Sequence, residues 1–186
     1  MSLSTDMIRL VGMDPSLRNW GVAIADYEPV TQLMHLREVG TLCPILSTGK
    51  QVRQNSLDIE SAYQLYQGAV KACQGAHAIF VECPVGSKSA RAMASYGLCA
   101  GVLGALRANH LPFFEVTATE VKLAGAGTKT ASKDDMIQWA KDKHPNAPWA
   151  HSLAKAEHQA DALAVIYAGL ASNPFRQMLP FLAAKS

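Results

Sequence analysis

The sequence predicts an α/β fold, a mixed five-stranded sheet with helices packed on its faces. Three observations carry that expectation. Two apolar runs near the start are separated only by a polar turn, three further strand-length runs follow, and the segments between and after them repeat their apolar residues at helical spacing. The 186 residues suit a single domain over 1–186, with a core of about 8–170 and a C-terminal tail over 171–186.

Ile8 to Met13 and Trp20 to Asp26 read as the first two strands, joined through Asp14, Pro15, Ser16 and Asn19 into a hairpin. Leu33 to Val39 reads as a third strand whose faces are not cleanly separated into apolar and polar, as suits a sheet edge. From Ser56 a helix follows, with Ile59, Ala62, Tyr63, Tyr66, Ala69, Val70 and Cys73 at helical spacing and Gly75 as its stop. Ala78 to Glu82 is a short buried strand, and Ala90 to Ala108 is a helix dense in small residues that lets another backbone approach closely. Phe113 to Val116 is the fifth strand. Ser132, with Asp135 three residues on, opens a helix that His144 and Pro145 end. Glu157 to Leu170 is the last helix, with Ala160, Leu163, Ala164, Tyr167 and Ala168 as its apolar stripe and Asn173 and Pro174 as its close.

Composition narrows the function. Hydrophobic residues are 49% and charged residues 17%, which excludes long disorder. No window approaches the roughly 18 uninterrupted apolar residues of a membrane span, and the first residues lack the basic-then-apolar pattern of a leader, so a cytoplasmic protein is expected. The cysteines Cys43, Cys73, Cys83 and Cys99 form no Cys-x-x-Cys pair and are expected as small core residues. The net charge of +2 gives no overall field for nucleic acid. The middle of the chain differs: Lys88, Arg91, Arg107, Lys122, Lys129 and Lys133 stand against only Glu115 and Glu120.

Three carboxylates sit where burial should disfavour them. Asp14 ends the first strand, Glu82 ends the fourth, and Asp161 lies in the last helix beside its apolar stripe. If those two strands are neighbours, Asp14 and Glu82 emerge at one edge of the sheet, and a helix over that edge brings Asp161 to them. His158 is one helical turn before Asp161 and points the same way. Carboxylate oxygens plus one imidazole make a donor set for a hard divalent cation. Each residue has a plainer reading: Asp-Pro opens turns, a strand-terminal Glu is often solvated, His158 and Asp161 could equally be first-turn residues complementing a helix N-terminus, and Glu157, one turn before Asp161, competes as a ligand.

At this point a resemblance becomes specific. Gly12-Met13-Asp14-Pro15-Ser16 with Trp20-Gly21-Val22-Ala23-Ile24, then Ile79-Phe80-Val81-Glu82, then Val121-Lys122 leading to Ser132-Lys133, then His158-Gln159-Ala160-Asp161-Ala162-Leu163-Ala164 resembles the RuvC family of Holliday-junction resolvases in both motif and order. The resemblance implies a ribonuclease H-like fold and a homodimeric, magnesium-dependent endonuclease that cuts four-way or other branched DNA. It implies Asp14, Glu82, His158 and Asp161 as the metal-binding and catalytic positions, where some members carry Asp in place of His158. By the family's mechanism Asp14 is shared by two Mg²⁺ ions, Glu82 serves the nucleophile side, and Asp161 with His158 the leaving-group side, Mn²⁺ being a substitute. Lys122 and Lys133 match family positions near the scissile phosphate. Lys88 and Arg91 are further candidate DNA contacts, and Val85 stands where the family commonly places an inserting aromatic residue.

Other readings stay open at this stage: a ribonuclease H-like nuclease acting on different branched DNA or on RNA-containing duplex, a non-catalytic junction-binding module, and a sugar kinase or actin-like ATPase. The last needs two lobes, which 186 residues hardly hold. A membrane partner is not expected, and a branch-migration motor cannot be inferred.

Overall fold

A computed structural model describes residues 7–49, 51–84, 86 and 89–183. The expected strands and helices are present, with two helices added. Strands β1 (Ile8–Asp14), β2 (Trp20–Glu28) and β3 (Leu33–Leu42) form an antiparallel meander, and helix α1 (Gln54–Ala72) leads to β4 (Ala78–Glu82). Helix α2 (Ala90–Arg107) leads to β5 (Phe113–Val116), and α3 (Ala118–Ala124), α4 (Lys133–Lys143), α5 (Leu153–Ala171) and α6 (Asn173–Ala183) follow. The sheet order is β3-β2-β1-β4-β5, with β4 parallel to both β1 and β5. β3 is an edge strand, as its mixed faces suggested.

The sheet separates two cores. Along β1, Ile8 and Leu10 face α5 while Val11 and Met13 face α1 and α2, the two-residue alternation of a strand buried on both sides. On β4, Ala78 and Phe80 join the first core and Ile79 and Val81 the second. The faces that β1 and β2 turn toward α5 are made small by Gly12, Gly21, Ala23 and Ala25. Helix α5 therefore lies close against the sheet. A Cβ at Gly12 would overlap the carbonyl oxygen of Ala162, and one at Gly21 would overlap that of His158.

Several expectations change. α5 is buried on nearly every side, Ala162, Val165 and Ile166 included, because α3, α4 and α6 pack around it as well as the sheet; a single stripe underestimated it. The segment expected as a tail folds into α6, whose Phe175 packs edge-on against Phe80 and Phe114 at centroid distances of 4.9 and 5.5 Å. On α1 the buried row is Ser61, Leu65 and Ala69, while Ile59 and Tyr63 are 69% and 55% exposed. Ser61 satisfies its hydroxyl on the carbonyl of Leu57 at 2.8 Å, which lets a polar residue occupy the apolar row. Cys73 and Cys99 are core residues as expected, but Cys43 is exposed and Cys83 only half-buried. The small residues of α2 face outward: its buried side is Cys99, Val102, Leu103 and Leu106, and a Cβ added at Gly97, Gly101 or Gly104 meets nothing within 4 Å.

Candidate metal and nucleic-acid site

The site grows from the β1–β4 pairing. The parallel register matches Met13 with Val81, so the next residues, Asp14 and Glu82, leave the sheet side by side at its edge. Across β1 on the other side Asp14 pairs with Gly21. Because Gly21 has no side chain, the His158 turn of α5 settles directly over Asp14, and Nδ1 of His158 is hydrogen-bonded to Oδ2 of Asp14. Asp161, one turn further along α5, faces the same cleft. The cleft holds about 520 Å³ and is lined by all four expected residues, by Glu157, and by Arg18 and Arg91 at its rim.

The electrostatics are those of an anionic cluster short of cations. Burial pushes the Asp161 carboxyl up to about 8, and the charges of Asp14, Glu82 and Glu157 add to the effect. Burial and the neighbouring Asp14 push Glu82 up to about 7, against the relief given by Lys122 and His158. For His158, burial favours the neutral ring, but the Asp14 hydrogen bond and the surrounding carboxylates outweigh it and raise its basicity. Like charges this close hold protons unless a cation replaces them.

The donors fit a divalent cation by type, since carboxylate oxygens with one imidazole suit Mg²⁺ or Mn²⁺. Asp14 and His158 are engaged with one another, and among the described residues no group of three such donors stands in metal-holding geometry. Glu157, which competed as a ligand, is taken by Lys133, whose ammonium lies 2.7 Å from one of its carboxylate oxygens and 2.9 Å from the other.

The expected DNA contacts divide. Lys133 opens α4 behind a Ser132–Asp135 capping box and feels the charges of Asp161 and Asp14 across the cleft. Lys122 lies in α3, near enough to Glu82 to lower its proton affinity. Arg91 is on the cleft rim, with both terminal nitrogens 2.6 Å from the carboxylate of Asp58 on α1. Val85 and Lys88 lie outside the described residues. Sequence reasoning passed over Arg18, a turn residue four positions after Asp14; its signal was that proximity.

No family model matches the sequence, and no curated protein matches it. Solved structures do. The chain is similar to Thermus thermophilus RuvC in complex with Holliday junction substrate, at 18% identity and a TM-score of 0.65, over 88% of this chain and 93% of that one. It is similar to the yeast mitochondrial Holliday junction resolvase Ydc2, at 13% identity and a TM-score of 0.57, over 90% and 81% of the two chains. The fowlpox virus Holliday junction resolvase matches at 11% identity and a TM-score of 0.53, over 85% and 94%. With its mixed five-stranded sheet, its flanking helices and this coverage, the chain has the ribonuclease H-like fold of the RuvC-type Holliday-junction resolvases.

Proposed function

We propose that the protein is a structure-specific endonuclease that resolves four-way DNA junctions by metal-assisted hydrolysis of phosphodiester bonds. One observation carries the reading: on a resolvase fold, Asp14, Glu82, His158 and Asp161 converge from two adjacent parallel strands and one helix into a single cleft. Bound Mg²⁺, or Mn²⁺ in its place, would neutralise the scissile phosphate and acidify the attacking water. Asp14, between Glu82 on β4 and His158 and Asp161 on α5, would be the shared ligand if two ions bind. To take up cations, Asp14 must release the His158 hydrogen bond, and Glu82 and Asp161 must give up the protons that burial favours.

The chain's own residues then hold the substrate. Lys133 exchanges Glu157 for a phosphate oxygen, aided by the N-terminal end of α4, and Lys122 approaches from α3. A homodimer with two-fold symmetry supplies the second cut, meeting through the outward small-residue face of α2, where Gly97, Gly101 and Gly104 leave room for a partner helix.

The test is an end-labelled four-way junction incubated with and without Mg²⁺, alongside three-way, flap and RNA–DNA hybrid substrates. Paired nicks in the four-way junction that require the metal and disappear in Asp14→Asn, with junction binding retained by that variant, support the reading. Cleavage confined to the hybrid, or cleavage surviving Asp14→Asn, overturns it.

A further inference from the structure

The cleft that holds four carboxylates repels the phosphodiester it is proposed to cut, so its mouth needs positive charge that is not already balanced. Two arginines line the cleft, Arg91 from the first turn of α2 and Arg18 from the turn between β1 and β2. They are not equivalent. Arg91 is bidentate on Asp58, which also accepts from Gln54 at 2.9 Å, and this pair pins α2 to α1. Its charge is largely matched within the protein. Of the two lysines whose charge reaches the carboxylates, Lys133 is matched by Glu157, and Lys122 acts on Glu82 from α3. Arg18 is exposed, and among the described residues no carboxylate pairs with it.

Arg18 also stands where the cleft continues into a smaller cavity of about 250 Å³, walled by Arg18, Arg91 and Asp58 with the apolar Leu17 and Leu57. It therefore lines both cavities, beyond the carboxylates. A guanidinium offers paired donors to two phosphate oxygens, and one with no carboxylate partner among the described residues gives up no such pairing on binding.

We infer that Arg18 is a substrate-contacting residue that grips a backbone phosphate adjoining the one that is cut, while Arg91, held by Asp58, serves chiefly to fix the cleft wall. This rests on the junction-nuclease reading above. Each phosphate contact contributes about 0.9 to the slope of log affinity against log salt on duplex DNA.

The experiment is junction binding by fluorescence anisotropy in chelator, across a salt series, for the natural protein, Arg18→Gln, Arg18→Lys and Lys71→Gln. Lys71 is an exposed lysine in the last turn of α1 and controls for net charge. Arg18→Gln should flatten the slope by about 0.9 and weaken binding about eightfold at 0.1 M salt. Arg18→Lys should keep most of the slope, and Lys71→Gln should keep all of it. An Arg18→Gln slope equal to that of the natural protein, or a Lys71→Gln effect as large as Arg18→Gln, overturns the inference while leaving the nuclease reading intact. Absence of any salt-dependent junction binding by the natural protein overturns both. Unchanged melting temperatures confirm that the slopes report contacts and not unfolding.

Discussion

Gly21 lies directly beneath the backbone carbonyl of His158, and a methyl group at that position would overlap the oxygen. The register that pairs Gly21 with Asp14 thus fixes both the height of α5 above the sheet and the meeting of His158 with Asp14. Gly21→Ala should force the helix outward, lowering stability by about 1–3 kcal/mol and weakening Mn²⁺ binding even though no donor is altered. Thermal melting and Mn²⁺ titration check this. Natural Mn²⁺ affinity in the variant would show that α5 sets the site without the glycine.

The metal-free site should be strained by its own charge. The folded-state values for Asp161 and Glu82 lie above those of the unfolded chain, so the folded protein binds more protons and loses stability as pH rises from about 4 to about 8. Asp161→Asn should therefore melt higher than the natural protein in chelator at pH 8.5, with the gain shrinking toward pH 4. Metal affinity should rise over pH 6 to 8, with protons released on binding. A pH-independent melting difference between the two proteins would refute the charge argument.

Asp26 titrates in the opposite sense. It is buried on β2 between Arg9 at 3.0 Å and Arg37 at 2.6 Å. Burial alone raises its proton affinity, but the combined hydrogen bonds and charges of the two arginines prevail and hold it below the ordinary carboxylate value. Its contribution is complete above the unfolded value near 4 and is lost as pH falls through the folded one. Both arginines are largely solvated, which screens the pair, so Asp26→Ala should cost about 1–2 kcal/mol at pH 7 and less near pH 2. Urea melts at the two pH values measure it.

On the proposed homodimer through α2, Gly101→Leu should separate folding from assembly. The added side chain enters open space on the outer face of α2, and glycine is a poor helix former, so the monomer should be at least as stable as the natural protein. Sedimentation should show that the variant no longer dimerises, and junction cleavage should become single nicks. A natural protein that is monomeric at micromolar concentration removes the basis for paired cutting through α2.

Much of the site could be read from the sequence because its chemistry conflicts with its surroundings. Asp14 and Glu82 end apolar strands, and His158 and Asp161 share a helix face in an alanine-rich segment, so each stands out against its burial. What escaped was set by local compensation. Thr117 and Glu120 form a capping box that starts α3, a helix of seven residues and so too short to show a period. Pro174 and Pro180 masked α6, although the first sits in its opening turn, where proline is tolerated. The buried row of α1 was hidden by Ser61, and the pairings of Lys133 with Glu157 and Arg91 with Asp58 join residues 24 and 33 positions apart, which no sequence window spans.

The contact between Asp14 and His158 closes a loop of 144 residues. Such a pairing carries a high loop-closure cost unless the intervening sheet has already brought its ends together. A nascent chain on the ribosome that has released β1 to β5 but not residues 153–171 carries Asp14 and Glu82 with neither His158 nor Asp161, and exposes the Gly12 and Gly21 face on which α5 will dock. On the proposed function, the four carboxylate and imidazole donors would then come together in one step with the synthesis of α5. Truncated products of interrupted translation would lack that cleft, and their uncovered sheet would mark them for chaperones and proteases.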